Sequence, residues 1–174
     1  QTIILFISHT LALLFTIAPA AADKPTPLEI AVVGPMSGKS AHLGAAMAEA
    51  VKLRADEVNA AGGVDGRPIK IVTFDDMNQP ETAAAIAKEI STQGRFLIAI
   101  GHRTSGTSLA AAPIYQENKL PVVSGTATAD ALTLNNPWYF RTIYNNSLQA
   151  QFIANYINSV LNFSTATLIS TNSA

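Results

Sequence analysis

Leu28-Glu-Ile-Ala-Val-Val-Gly-Pro-Met-Ser-Gly38 is the stretch that decides the fold. Its run Ile30-Ala-Val-Val33 is continuously apolar, as a strand covered on both faces requires. Gly34 and Pro35 turn the chain. A helix then follows over 42–60, with Met47, Val51, Ala55 and Val58 on one stripe and Glu49, Lys52, Arg54 and Glu57 falling largely elsewhere. Strand, glycine turn and helix open an α/β unit. Upstream, residues 3–18 are almost wholly apolar and meet Pro19-Ala-Ala-Ala22, then Asp23. That is the pattern of a secretory signal peptide over residues 1–22, cleaved after Ala22. A membrane anchor is the alternative, but the run falls short of the roughly 20 residues a span needs, and His9 and Thr10 interrupt it. No Lys or Arg precedes the run, which counts against the signal unless a basic start is missing.

Outward from this stretch the α/β rhythm continues. Gly62-Gly63 stops the first helix, and Gly66-Arg-Pro68 turns into a strand over 69–74 that ends at Asp75-Asp76. A helix over 80–93 carries Pro80 in its first turn and Gly94 just past its end. A third strand covers 96–100, a third helix 106–118, and a fourth strand 120–123. A short helix is expected near Thr128, an extended crossover through Trp138-Tyr-Phe140, a helix over 147–161 with a broad apolar face, and a strand starting near Ala166. Strands alternating with helices mean βαβ units and a mainly parallel sheet. The expected organisation is a signal at 1–22, a first α/β lobe at 23–142, and a crossover with the start of a second lobe at 143–174. The absent Met and the apolar run begun at the far end point to a fragment.

Composition narrows the partners. The net charge is −1, from 11 basic and 12 acidic residues, with no basic cluster. Nucleic acid is therefore not expected, because phosphate neutralisation needs clustered Lys or Arg. There is no cysteine. No disulfide scaffold is used, and no cysteine stands at the cleavage site to be lipidated. An exported, soluble, unanchored periplasmic protein is expected. Such a chain cannot count on cytoplasmic ATP or NADH.

Two motifs invite enzyme readings, and neither is complete. Gly34-Pro-Met-Ser-Gly-Lys-Ser40 resembles a phosphate-binding loop, but it has three residues, not four, before Gly-Lys, and Pro35 removes an N–H. No G-x-G-x-x-G exists. His102 beside Ser105 suggests a nucleophile, yet no acid is obviously placed to orient the imidazole. Asp75-Asp76 reads as a solvated or capping pair more readily than as a metal site. Tyr115 reads as core. Asn145-Asn-Ser147 and Asn162-Phe-Ser164 read as surface polarity rather than glycan acceptors. No cofactor is implied.

The better candidate is a pair of loops, His102-Arg-Thr-Ser-Gly-Thr-Ser108 and Ser124-Gly-Thr-Ala-Thr128, each after a strand and before a helix. Ligands of open parallel sheets bind outside the carboxyl ends of the strands. Two helix starts there could hold one carboxylate and leave threonine oxygens for an ammonium. The competing reading makes Ser105 and Thr128 simple N-caps.

Taken together, Val33-Gly-Pro-Met-Ser-Gly38, Asp56-Glu-Val-Asn-Ala-Ala-Gly-Gly-Val-Asp-Gly66, Asp75-Asp76, Ile100-Gly-His102, Ala112-Pro-Ile-Tyr115, Leu120-Pro-Val-Val-Ser124, Ala127-Thr128 and Tyr139-Phe-Arg-Thr142 resemble the amino-terminal part of a type I periplasmic binding protein of the leucine/isoleucine/valine-binding family. The resemblance covers 28–174. It implies a three-layer αβα lobe, a second lobe only begun, and ligand held between the lobes. It also implies delivery to an ABC permease, a monomer, and no catalysis. The ligand-binding positions fall on Ser105, Thr126, Ala127 and Thr128. Leu43 stands where some members carry an aromatic wall. A disulfide common among the family's branched-chain binders falls on Asn78 and Thr104, neither of them cysteine. Aromatic and acidic contacts from the second lobe would lie beyond Ala174, so this stretch alone is expected to bind weakly. The rival readings are a sensor domain of the same fold and an exported α/β enzyme.

Overall fold

The structure is a computed structural model that describes residues 25–169. The expected signal peptide lies outside the described residues. Five strands alternate with helices: β1 (Leu28–Gly34), α1 (Ala41–Ala60), β2 (Ile69–Asp75), α2 (Pro80–Thr92), β3 (Phe96–Gly101), α3 (Ser105–Glu117), β4 (Val122–Ser124), β5 (Tyr139–Arg141) and α4 (Asn146–Ser159). All pairings are parallel, in the order β2-β1-β3-β4-β5.

Strand alternation assigns the two faces. Ala31, Val33, Val72, Phe74, Ala99 and Val122 face α2 and α3, which contribute Ile86, Ala87, Ile90, Ala111, Ala112 and Tyr115 to one core. Each large apolar side chain buried there stabilises by about 1.5–3 kcal/mol. Among the described residues, the opposite face carries α1 alone. Its Val51, Ala55 and Val58 line a groove with Ile30, Ile69, Ile71 and Ile100. The lobe is thus a three-layer αβα sandwich with one outer layer a single helix wide. Only Gly44 and Ala55 of α1 are fully buried.

Local chemistry explains the boundaries. Asn59 ends α1 and ties it to β2: its amide nitrogen donates to Ile69 O at 2.8 Å, and its oxygen accepts from Ile69 N at 2.6 Å. Gly63 takes φ +77, and a Cβ there would sit 2.2 Å from Arg67 O. Pro80 opens α2 where its missing N–H costs nothing.

Two expectations need correcting, and two others take a definite form. Trp138-Tyr-Phe140 is not a crossover, because Tyr139–Arg141 pairs with β4 as the edge strand of the same sheet. Tyr139 turns inward to 2 % exposure while Phe140 points out. The short helix expected near Thr128 is a three-residue 3-10 helix, Asp130–Leu132. α4 buries none of its residues, so its apolar face is exposed. Residues 166–169 form no strand, and 170–174 lie outside the described residues.

Candidate ligand-binding site

Parallel strands bring every loop that follows them to one end of the sheet. From β1 the chain runs to β2 on one side and then to β3 on the other. The loops after β1 and β3 therefore diverge, which is where open α/β sheets hold ligands. Residues 35–40 and 102–104 flank that point, with 76–79 and 125–128 on either side.

The loops after β3 and β4 are joined through hydroxyls. Ser105 Oγ accepts from Ala129 N at 3.2 Å. Thr126 Oγ1 donates to Arg103 O at 2.5 Å. Ser124 Oγ donates to His102 O at 3.0 Å and accepts from Ala127 N at 3.1 Å. Ser105, Thr126, Ala127 and Thr128 are thus brought to one place. Thr126 is exposed, Ser105 and Thr128 are half-buried, and Ala127 is buried. Leu43 is half-buried in the first turn of α1, at the same end of the sheet.

The capping reading of these residues does not hold. Thr104 is the N-cap of α3, and its side chain accepts from Thr107 N. Ser105 is the first helical residue, free to reach across to Ala129. Thr128 precedes no α-helix, and the 3-10 turn beyond it is capped by Ala129. Of the two candidate loops, only the one after β3 leads into an α-helix, so of this pair only α3 presents its start to an anion. Its first N–H groups, on Ser105 and Gly106, have no acceptor within the helix. A Cβ on Gly106 would meet nothing within 4 Å, so this position faces open space.

The loop after β2 carries the acids. Asp75 Oδ1 accepts from Met36 N at 2.8 Å and Met77 N at 2.9 Å, fastening the loop after β1. Burial pushes its pKa up, but hydrogen bonds from the Ser37 hydroxyl and from the Met77, Met36 and Ser37 N–H groups outweigh this and hold the carboxyl below its ordinary value. Asn78 Oδ1 accepts from Thr104 Oγ1 at 2.8 Å. The two positions where the resemblance implies a disulfide are therefore joined by a hydrogen bond.

Asp76 supplies the acid that the sequence left unplaced. Its Oδ2 lies 2.8 Å from His102 Nδ1, both fully buried. Yet His102 Nε2 lies 3.2 Å from the Tyr115 hydroxyl, not from a serine. Ser108 reaches only the backbone oxygen of His102, at 3.2 Å. Among the described residues, no serine or threonine hydroxyl bonds to the His102 ring. Among the described residues there is no group of three side chains able to hold a metal.

These features put an open shelf of hydroxyls and a helix start at the switch point of a parallel α/β sheet. The chain belongs to the periplasmic binding protein family, whose model matches residues 27–174. The Leu/Ile/Val-binding protein of Escherichia coli is 32% identical over 131 residues, covering 75% of this chain and 35% of that protein. The branched-chain amino acid transporter substrate binding protein LivJ of Streptococcus pneumoniae, solved with isoleucine, is 32% identical with TM-score 0.71, covering 79% of this chain and 39% of that one. An ABC transporter substrate-binding protein of Desulfitobacterium hafniense, solved with Leu, is 30% identical with TM-score 0.69, covering 77% and 39%. The fold is that of type I periplasmic binding proteins. The chain spans little more than a third of the length of these relatives.

Proposed function

We propose that the protein is an extracytoplasmic solute-binding protein. It captures a small α-amino acid, branched-chain type favoured, and delivers it to an ABC permease in the inner membrane. It acts as a soluble monomer in the periplasm, without a cofactor and without catalysis. The first lobe runs to about residue 142, and the second begins at 143.

The observation that carries the reading is the hydroxyl bookkeeping at the shelf. A serine hydroxyl has one donor and two acceptor positions. Ser105 Oγ accepts from Ala129 N, so its proton remains for a ligand carboxylate, beside the N-terminal N–H groups of α3. Thr126 Oγ1 has already given its proton to Arg103 O, so its lone pairs are left for an ammonium. Thr128 offers a second oxygen, Leu43 offers apolar contact, and Ala127, its side chain in the core, fixes the backbone between the two threonines. An α-amino acid carries these charges on one carbon. The names and bound ligands of the relatives, Leu/Ile/Val in one and isoleucine or leucine in others, fit this pattern. No described helix is long and apolar enough to cross a membrane.

Calorimetric titration of the full-length protein tests this. The panel holds leucine, isoleucine, valine, alanine, glutamate, urea and a benzoate-type acid. The expected result is binding of an aliphatic α-amino acid at micromolar Kd or tighter, weakened about tenfold or more by Ser105→Ala, which removes a charge-assisted hydrogen bond. Tight binding only to a ligand without an amino group would remove the amino-acid assignment.

A further inference from the structure

Asp76, His102 and Tyr115 form an unbroken polar chain inside the lobe, each at 0 % exposure. The three come from the loop after β2, the residue after β3, and the middle of α3. Beyond the Nδ1 and Nε2 contacts already described, Asp76 Oδ1 accepts from Asn78 N at 2.9 Å. A buried polar group costs stability unless it is paired, and an apolar core of the same shape would stabilise at least as well. The chain therefore contributes orientation more than stability.

For a neutral imidazole its donors and acceptors match in one arrangement. Asp76 is an acceptor, so His102 carries its proton at Nδ1 and leaves Nε2 bare. Tyr115 then donates its hydroxyl to Nε2. Burial drives the Tyr115 pKa far up, which keeps that proton in place. With the proton at Nε2 alone, the bare Nδ1 would face the Asp76 carboxylate, two acceptors 2.8 Å apart with no proton between them.

The consequence reaches the shelf through the His102 backbone. Its carbonyl takes the hydroxyl protons of Ser108, on α3, and Ser124, at the end of β4. Ser124 in turn holds Ala127 N. Locking the imidazole locks the residue that both ligand-facing loops grip.

We propose that Asp76 and Tyr115 are positioning residues for ligand binding: by fixing His102 in its Nδ1–H tautomer they fix the carbonyl from which the loops at 102–105 and 124–128 hang. This rests on the reading that those loops hold the ligand. It adds three residues that touch no ligand to the set that sets affinity.

The test uses full-length protein with Tyr115→Phe, which keeps the ring and removes the hydroxyl. Three quantities are read: the His102 tautomer by side-chain 15N NMR, amide exchange at Ala127 and Ala129 relative to global stability, and the leucine and isoleucine Kd. In wild type, His102 shows a protonated Nδ1 and bare Nε2. In the variant the tautomer becomes mixed, Ala127 and Ala129 exchange faster than the change in global stability accounts for, and Kd rises about tenfold. Should Tyr115→Phe not fold, Ser108→Ala removes one of the two bonds to the His102 carbonyl and is read by exchange and Kd. Wild-type protein that binds no amino acid overturns the functional reading, and the role in ligand affinity with it. Wild-type protein that binds, beside a variant with unchanged tautomer, exchange and Kd, overturns the positioning role alone. An Nε2–H tautomer in wild type also overturns it.

Discussion

The two ends of the sheet are built from different interactions. At the end where the strands begin, Glu29 pairs with Lys70 at 2.7 Å and with Arg95, whose guanidinium also lies over the Phe96 ring. Both cations are half in water, at 56% and 43% side-chain exposure. At the end where the strands finish, Asp76, His102, Ser108 and Ser124 are dry and hydrogen-bonded. Solvated ion pairs are screened and contribute about 0–1 kcal/mol. Desolvated hydrogen bonds cost more to break, because the abandoned partner stays buried. The same sheet thus has one end tolerant of change and one whose loop positions are specified.

The sharpest way to test that contrast is a pair of glycine substitutions on the two sides of β3. Gly101 takes φ +138, and a Cβ there would lie 2.1 Å from Val33 O, a backbone atom. Gly101→Ala is expected to destabilise by about 3 kcal/mol or more in urea unfolding. Gly94 takes φ +63 with nothing within 4 Å of a Cβ. Gly94→Ala should cost about 1 kcal/mol, from backbone conformation alone. Equal losses would mean the finishing end is no more tightly specified than the other.

Ser124→Ala comes next. It leaves Ala127 N without its buried acceptor and removes one donor from His102 O, for an expected loss of about 2 kcal/mol in the urea midpoint. The acid titration of Asp75 is smaller. Its folded pKa lies below its unfolded one, so its contribution is fully present above about pH 4 and is lost as the pH falls through the depressed folded value. The Tm gap between wild type and Asp75→Asn should narrow as the pH is lowered from about 6 to about 2. A gap constant with pH would show that the Met36 and Met77 bonds favour no charge state. Smallest is Glu29→Gln at the opposite end, expected within about 1 kcal/mol of wild type and less in high salt. A loss matching Ser124→Ala would erase the distinction between the ends.

Local signals carried most of the fold. The unbroken apolar run at Ile30–Val33, the glycine pair after α1, and Pro80 and Gly94 around α2 each report on a few neighbouring residues, and each has its counterpart in the structure. What was not legible depends on distant partners. β5 is three residues long, and only its pairing with Val122–Ser124 makes it a strand. α4 has an apolar face, but pattern does not say whether anything covers it. Thr104 and Ser105 are both plausible caps by type, and only the reach to Ala129 separates them. The bond from His102 to Asp76 joins residues 26 apart, and no spacing rule would pair them. The candidate shelf was legible as two loops, since strand ends locate loops. The hydroxyl connections between them were not.

The bond from Thr104 to Asn78 has a consequence for where such a fold can work. It stands where the family resemblance implies a covalent link. A covalent link needs an oxidant to form and is severed by a reductant, whereas this one closes and reopens by thermal motion alone. In a chain with no thiol anywhere, the junction between the loops after β2 and β3 is blind to redox potential. Closing this junction then needs no oxidant, and a reducing agent should leave it as it was.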